Sequence, residues 1–171
     1  MRLRKKAAKG GLEQRWDSMA FQGRMALYWE KSRAAEKALL HAEEDMEMIS
    51  AVDKLKVSGN PLGDERSAKK LAEINERLES RLGALHELAW VCEKLAGEHS
   101  QRLGLVSAGR LREEFKDANI EAKGIAAIVA RNKGRIAVFR MAAYDKREEL
   151  KRINGAKKAR RNIISKFFRR K

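Results

Sequence analysis

Apolar residues recur at helical intervals along the first third of the chain. From Leu12 to about Lys56 they lie mostly three or four positions apart, or at sums of these, with no proline and with Gly23 as the only glycine. This period predicts one long amphipathic helix. Its stripe comprises Leu12, Trp16, Met19, Leu27, Ala34, Ala38, Met48, Val52 and Leu55.

A turn-forming segment, VSGNPLGD at residues 57–64, ends this pattern. Its glycine, asparagine and proline residues predict a loop, and Asp64 is expected to cap the following helix. Beyond the loop, a near-heptad spacing predicts a second long helix with an oligomer seam. The seam residues are Leu71, Ile74, Leu78, Leu82, Leu85, Leu88 and Leu95. Residues 12–103 are therefore predicted to form a long helical hairpin or an oligomeric coiled coil, with pairing either within one chain or between chains.

The last third of the chain is predicted to be all-α as well, but in shorter pieces. GLVSAG at residues 104–109 predicts a second break. Short helices are expected over about 110–118 and 121–132, with a turn at Asn119, followed by a third helical stretch over 135–153. Together these form a predicted small helical module, residues 110–155. Two short helices around a tight turn fit a helix-turn-helix that enters a nucleic-acid groove, and the alternative is a subdomain with an ordinary solvated face.

Charge is distributed unevenly over the 171 residues, whose net charge is +15. Residues 1–11 hold five basic and no acidic residues, and residues 156–171 hold eight basic and none acidic. Residues 110–155 hold 12 basic and seven acidic residues, whereas residues 12–109 hold 14 and 17. An excess confined to the two ends and the last third indicates a polyanionic partner. Nucleic acid, DNA or RNA, is favoured over an anionic membrane surface.

The predicted nucleic-acid contacts are Lys and Arg side chains in three segments. They comprise Arg2, Arg4, Lys5 and Lys6 in a basic N-terminal arm (1–11), Lys123, Arg131, Lys133 and Arg135 in the helical module, and Lys157, Lys158, Arg160, Arg161, Lys166, Arg169, Arg170 and Lys171 in a basic amphipathic tail (156–171). In the tail, Ile164, Phe167 and Phe168 share one helical face. This tail can contact phosphates while phenylalanines stack on bases, lie on an anionic membrane, or dock its apolar face onto the core.

Residue arrangements typical of catalysis are absent from the sequence. The three histidines lie outside any HExxH or CxxC context, and no glycine-rich phosphate loop follows a strand. Acidic pairs such as Glu43-Glu44 and Glu113-Glu114 are interpreted as solvated helix faces. Cys92 lies among the seam residues and is interpreted as a small apolar filler. We therefore expect a protein that is not an enzyme and has no cofactor or metal.

Aromatic residues are few, and those that precede the C-terminal third of the chain all lie in the first two predicted helices. Trp16 and Trp90 occupy apolar positions and are expected in the core. Met25, Tyr28 and Trp29 form a local cluster, for which core burial is favoured over an interface patch.

The expected compartment follows from the cysteine count and the N-terminus. A single cysteine cannot form an intrachain disulfide, which fits a reducing compartment. The basic N-terminus is not followed by the apolar stretch of a secretory signal, and no apolar run reaches the length of a membrane span. We expect a protein that is neither secreted nor transmembrane. It would act in the cytoplasm, nucleoid or nucleus of a cell, or inside a virion.

The stretch LREEFKDANIEAKGIAAIVARNKGRI, within residues 110–153, resembles the core of the GapR-like family of small bacterial and phage DNA-associated proteins. The matching positions are Phe115, Ala118, Asn119, Ile120, Lys123, Ile125, Ile128, Val129 and Lys133. The resemblance implies coiled-coil dimers and tetramers that surround DNA, with Lys123, Arg131 and Lys133 facing the phosphates. The chain departs from the family's pattern at Asn119, where a glycine is usual.

Two functions are compatible with these patterns. The first is a non-catalytic nucleic-acid-binding architectural or accessory protein, homo-oligomeric through the hairpin, whose basic ends contact phosphates. Its specificity would be low, because phosphate contacts carry no sequence information. The alternative is a viral or phage structural or scaffold protein, such as a virion component, a nucleoprotein or a membrane-surface adaptor. Its basic ends would serve assembly or genome contact.

Overall fold

The protein is all-α over the residues that the structure describes, as the sequence predicts. The structure, a computed structural model, describes the backbone of residues 11–53 and 57–168 and the side chains of residues 11–51, 57–104 and 106–158. The helices are α1 (residues 11–17), α2 (Phe21–Asp53), α3 (Pro61–Glu98) and α4 (Ser100–Phe168). These ranges contain no strand.

A break at residues 18–20 separates α1 from α2, so the prediction of one helix from Leu12 to about Lys56 is wrong here. The Arg24 Nε donates hydrogen bonds to the carbonyl oxygens of Trp16 and Met19, at 3.3 and 3.1 Å. A cation on the last carbonyls of a helix stabilises its end. Periodicity does not reveal this break, because the apolar spacing continues across it.

The indole of Trp16 anchors α1 in the core. Trp16 is 1% exposed, and its ring meets the edge of Trp90 at a centroid distance of 5.5 Å. Its Nε1 donates a hydrogen bond to Glu98 Oε2 at 2.9 Å, and Arg24 Nη1 binds the same oxygen at 2.9 Å. Arg24 Nη1 also donates to His99 Nε2 at 2.9 Å, so that nitrogen is unprotonated. The prediction of core burial is thus confirmed for Trp16. It is wrong for Trp29 of the predicted Met25, Tyr28 and Trp29 cluster, because that side chain is 56% exposed.

We expect His99 to make the stability of the protein depend on pH. Burial, and then the neighbouring Arg24, lower the pKa of His99. The unfolded chain therefore takes up this proton at a higher pH, near the ordinary value of about 6.5, than the folded chain does. Between the two pKa values the unfolded state binds more protons, so the free energy of unfolding falls as pH falls. The variant His99→Gln can still accept from Arg24 and should flatten this dependence in urea titrations at several pH values. An unchanged dependence would rule out His99 as its source.

The loop before α3 lies where the sequence predicts it. Gly59 adopts a φ of 69°, a left-handed conformation that favours glycine. Asn60 Oδ1 accepts a hydrogen bond from the Leu62 N–H at 3.1 Å, so Asn60 caps the helix and the prediction of Asp64 as the cap is wrong. Asp64 instead accepts hydrogen bonds from the N–H and the hydroxyl of Ser58, at 2.8 and 2.9 Å.

One long helix replaces the three short helices predicted for the last third. Within α4 only Gly104 has non-helical backbone angles, with φ 74° and ψ 160°. The break predicted over 104–109 is therefore confined to that glycine. The predicted turn at Asn119 is wrong, because its Nδ2 donates to the Phe115 carbonyl one turn earlier, at 2.8 Å, inside the helix. The helix-turn-helix interpretation of this segment is corrected accordingly.

A continuous buried seam explains why α4 does not break at Asn119 or Gly134. Its members follow at intervals of three, four or seven positions, a heptad repeat that passes Asn119 and Gly134 without a shift. Alanines and an asparagine hold several positions, so a count of large apolar residues misses the repeat. Burial of the stripe outweighs a helix-propensity penalty of about 1 kcal/mol or less at each interruption. The seam comprises Ala108, Leu111, Ala118, Ala122, Ile125, Val129, Asn132, Ile136, Phe139 and Ala143.

The chain divides into two compact units. The first unit is formed by the described residues within Met1–Glu44 and Leu78–Ala127, and the second unit by those within Asp45–Arg77 and Ile128–Lys171. Each unit contains part of α2, α3 and α4. The predicted hairpin region and helical module both contribute to both units, so they do not form separate compact units.

The helical hairpin is formed within one chain. In the first unit, Lys31 Nζ lies 3.0 Å from Glu87 Oε2, and Arg81 donates to the carbonyl of His41. These contacts run in opposite order along α2 and α3, as antiparallel helices require. In the second unit, Arg77 Nη2 on α3 lies 2.9 Å from the buried carboxylate of Asp45 on α2. A shift in register between the two helices would separate this carboxylate from Arg77, which is costly for a buried charge.

The predicted oligomer seam on α3 is buried inside the single chain, so its assignment to an oligomer interface is corrected. In the second unit, Leu71 packs with Ala68, Ile136 and Phe139. All seven seam residues are at most 8% exposed, namely Leu71, Ile74, Leu78, Leu82, Leu85, Leu88 and Leu95.

Candidate nucleic-acid interface

The last described side chains of α4 are exposed around the whole circumference of the helix. Every residue from Glu149 to Lys158 is exposed, so no described part of the chain packs over this stretch. Ten consecutive residues make nearly three turns and therefore present every face. Leu150 and Ile153 are 42% and 41% exposed, so apolar surface is open as well. The whole surface of the helix is thus accessible to a partner.

Acidic residues end where this exposed stretch begins. Lys146 Nζ lies 2.6 Å from Glu149 Oε2, and Lys151 Nζ lies 2.7 Å from Glu148 Oε1. The hydrogen bond with Glu148 raises the pKa of Lys151. From Leu150 to Lys171 the sequence then holds ten basic residues and no acidic one. The positive charge beyond these ion pairs has no carboxylate along the helix to balance it.

The structure exposes most of the predicted contact residues that it describes. Lys157 and Lys158 lie in the fully exposed stretch, and Lys123 is exposed in the first unit. In the second unit, Arg131 and Lys133 are exposed. The remaining described residue of the set, half-buried in the second unit, is Arg135.

Other predicted contacts lie beyond what the structure describes. The backbone of α4 includes three whose side chains are outside the described set: Arg160, Arg161 and Lys166. Those outside the described residues altogether are Arg2, Arg4, Lys5, Lys6, Arg169, Arg170 and Lys171.

Several exposed arginines of α4 were not among the predicted contacts, and Arg140 and Arg152 are two of them. Arg140 and Arg152 are exposed and have no ion pair with any described side chain. The signal for Arg152 was present in the sequence, because the acid-free run starts at Leu150 rather than at the predicted tail boundary of 156. Arg140 lacks such a signal, since acidic residues follow it closely.

A partly buried cluster in the first unit contains hydroxyl, thiol and carboxyl groups. Tyr28 Oη donates to Glu114 Oε2 at 2.6 Å, and Ser32 Oγ donates to Glu114 Oε1 at 3.3 Å. Glu114 is therefore not the solvated group expected of the Glu113-Glu114 pair. Burial, and then the charge of Glu114, raise the pKa of Cys92 to about 12, so the thiol is protonated at neutral pH. The two hydroxyls bind Glu114, and the buried, protonated Cys92 thiol is not an activated nucleophile.

The described residues contain no group of three or more His, Cys, Asp or Glu side chains that could hold a metal ion. No helix among them is both long and apolar enough to cross a membrane. Comparison with models of known families, with curated proteins and with solved structures gave no match for this chain.

Proposed function

We propose that the protein binds nucleic acid without catalysis, through phosphate contacts made by the basic end of α4. The observation that carries this proposal is the stretch from Glu149 to Lys158, which is exposed on every face and opens an acid-free sequence. A helix about 10–12 Å across fits the major groove of B-DNA, which is about 12 Å wide. Lysine and arginine side chains around such a helix reach phosphates on both sides of the groove.

The proposed interaction is led by charge and reads sequence weakly. Most polar side chains of the exposed stretch are Lys or Arg, which position a protein on phosphates. Each phosphate neutralised on duplex DNA contributes about −0.9 to the slope of log affinity against log salt. Steep salt dependence is therefore the signature of this function, and it suits an architectural or accessory role.

A salt series with three ligands tests the proposal. The full chain is titrated with a duplex DNA, a single-stranded RNA and phosphatidylserine vesicles. Tight binding to DNA or RNA that weakens steeply with salt supports the proposed function. Binding to vesicles alone, persisting at high salt, would show a membrane-surface protein instead. Absence of binding to all three would also refute the proposal.

Neutralising two adjacent lysines should separate a local interface from net charge. The variant Lys157→Gln/Lys158→Gln removes two exposed cations from α4 and should make the salt slope for duplex DNA shallower by about 2. Lys69→Gln/Lys70→Gln removes the same charge from exposed adjacent lysines on α3 and should leave the slope unchanged. Equal losses in both variants would mean that overall charge, and not the end of α4, determines binding.

A further inference from the structure

The two compact units differ in the size of their apolar cores. Of the 28 buried apolar residues that the structure describes, 20 belong to the first unit and eight to the second. Burial of apolar surface is the main term that favours folding, so the second unit has the smaller part of it. Its eight residues are Ile49, Ala68, Leu71, Ile74, Val129, Ile136, Phe139 and Ala143.

Buried polar atoms that lack a hydrogen bond belong to the second unit throughout the described part of the chain. They include Asp64 Oδ2, Asn75 Oδ1, and both Oδ1 and Nδ2 of Asn132. These three residues are 1%, 4% and 0% exposed, so bulk water does not reach their side chains. Each polar atom buried in this way lowers the ratio of folded to unfolded chains by at least about fivefold. In the first unit, by contrast, the buried hydroxyl of Ser32 binds Glu114.

The contact between α3 and α4 in the second unit relies on a few apolar side chains. Leu71 packs with Ile136 and Phe139. An ion pair of Glu65 with Arg147 lies further along, and its side chains are 55% and 46% exposed. An ion pair exposed to this degree contributes little to stability. These contacts run in opposite order along the two helices, which are therefore antiparallel here.

Two of the buried asparagines lie at one level of this contact. Asn75 follows Leu71 by four residues, and Asn132 precedes Ile136 by four. Four residues make about one helical turn, so antiparallel packing brings Asn75 and Asn132 to the same level. The apolar contact between α3 and α4 is thus interrupted by a polar layer one turn from Leu71.

We propose that the second unit opens on its own, as one cooperative step, while the first unit stays folded. A small apolar core and unsatisfied buried polar atoms both lower the free energy of such a local opening. Opening bares the seam face of α4 over residues 128–143, where Arg135 is half-buried. If nucleic acid binds α4 as proposed above, the open form offers it a longer basic helix. The opening itself does not depend on that function.

Hydrogen exchange along α3 compares the two units within one helix. Residues 65–77 lie in the second unit and residues 82–94 in the first, and each range stops four residues short of an end of α3. The amides of 65–77 should exchange faster, by about tenfold or more, and at the same opening free energy as those of 128–143. Equal protection in the two halves of α3, or greater protection in 65–77, would overturn the proposal.

Replacement of the two asparagines tests the role of the polar layer. Valine has about the helix propensity of asparagine and has no side-chain polar atom, so Asn75→Val/Asn132→Val should slow exchange in the second unit alone. The matched control is Asn119→Val on α4 in the first unit, where Nδ2 already donates a hydrogen bond to the Phe115 carbonyl. It should leave the second unit unchanged. A double variant whose second unit opens as fast as before would exclude the asparagines as the cause.

Thiol labelling provides a second measurement that needs no change in the polar layer. The natural Cys92 is buried in the first unit and reports its opening. Ala68→Cys places a thiol in the second unit at a side chain that is 1% exposed. The new thiol should react with a soluble disulfide reagent about tenfold or more faster than Cys92. Equal rates would show that one global opening exposes both, and would overturn the proposal. Neither measurement contains nucleic acid, so failure of the proposed function would leave both results unchanged.

Discussion

Removal of residues 156–171 should eliminate most of the salt-dependent affinity for duplex DNA. A chain ending at Gly155 lacks eight basic residues and loses no acidic one. If six of these cations neutralise phosphates, the slope of log affinity against log salt should become shallower by about 5. Binding by the full chain should weaken roughly a thousandfold between about 50 and 200 mM salt, whereas the truncated chain should respond far less. Fluorescence anisotropy with a labelled duplex over that range measures both.

The same truncation should leave the folded units intact. Side chains from Glu149 to Lys158 are already exposed, so the cut at Gly155 removes no described side chain from the core. Helicity per residue, the unfolding midpoint and the concentration dependence of the mass should therefore match those of the full chain. A truncated chain that unfolds more readily or associates differently would show that the tail is structural. A chain ending at Phe168 provides a graded control, because it lacks only three basic residues and should change the slope by about 3.

The two long helices differ in how much of them the sequence reveals. The α3 seam consists largely of leucines at heptad spacing, so both the helix and its buried face follow from the pattern. In α4 the seam is held at Ala118, Ala122 and Asn132, residue types that also occur on exposed surfaces. Asparagine is common in turns, so Asn119 predicted a break. The helix continues there because burial of the seam outweighs the turn preference of this one residue. Periodicity identifies a face only where its side chains differ clearly from those of the other faces.

For the candidate interface, the sequence supplies charge and the fold supplies exposure. The acid-free run from Leu150 can be counted directly, and exposed Lys157 and Lys158 fall within it. Arg135 is also basic and was predicted as a contact, yet it is half-buried. Whether a basic residue on a long helix faces the core or solvent depends on which neighbours pack against it. Formal charge contains no information on that point.

Leu71→Ala should lower the free energy of unfolding by about 3–5 kcal/mol, the range for a buried leucine that leaves a cavity. Leu71 is fully buried among Ala68, Ile136 and Phe139, and the surrounding helices leave little freedom for the site to collapse. Leu62→Ala makes the same chemical change on the same helix at a side chain that is 62% exposed. Its effect should stay within about 0.5 kcal/mol. Urea denaturation followed by circular dichroism measures both variants.

Repeating these titrations at two protein concentrations shows whether the α3 seam packs within one chain or joins two chains. A seam that packs within one chain gives Leu71→Ala the same loss at both concentrations. A seam that joins two chains would make the loss vary with concentration, since association stabilises the folded state by mass action. The expected loss is a large part of the roughly 5–15 kcal/mol that stabilises a typical domain, so it is readily measured.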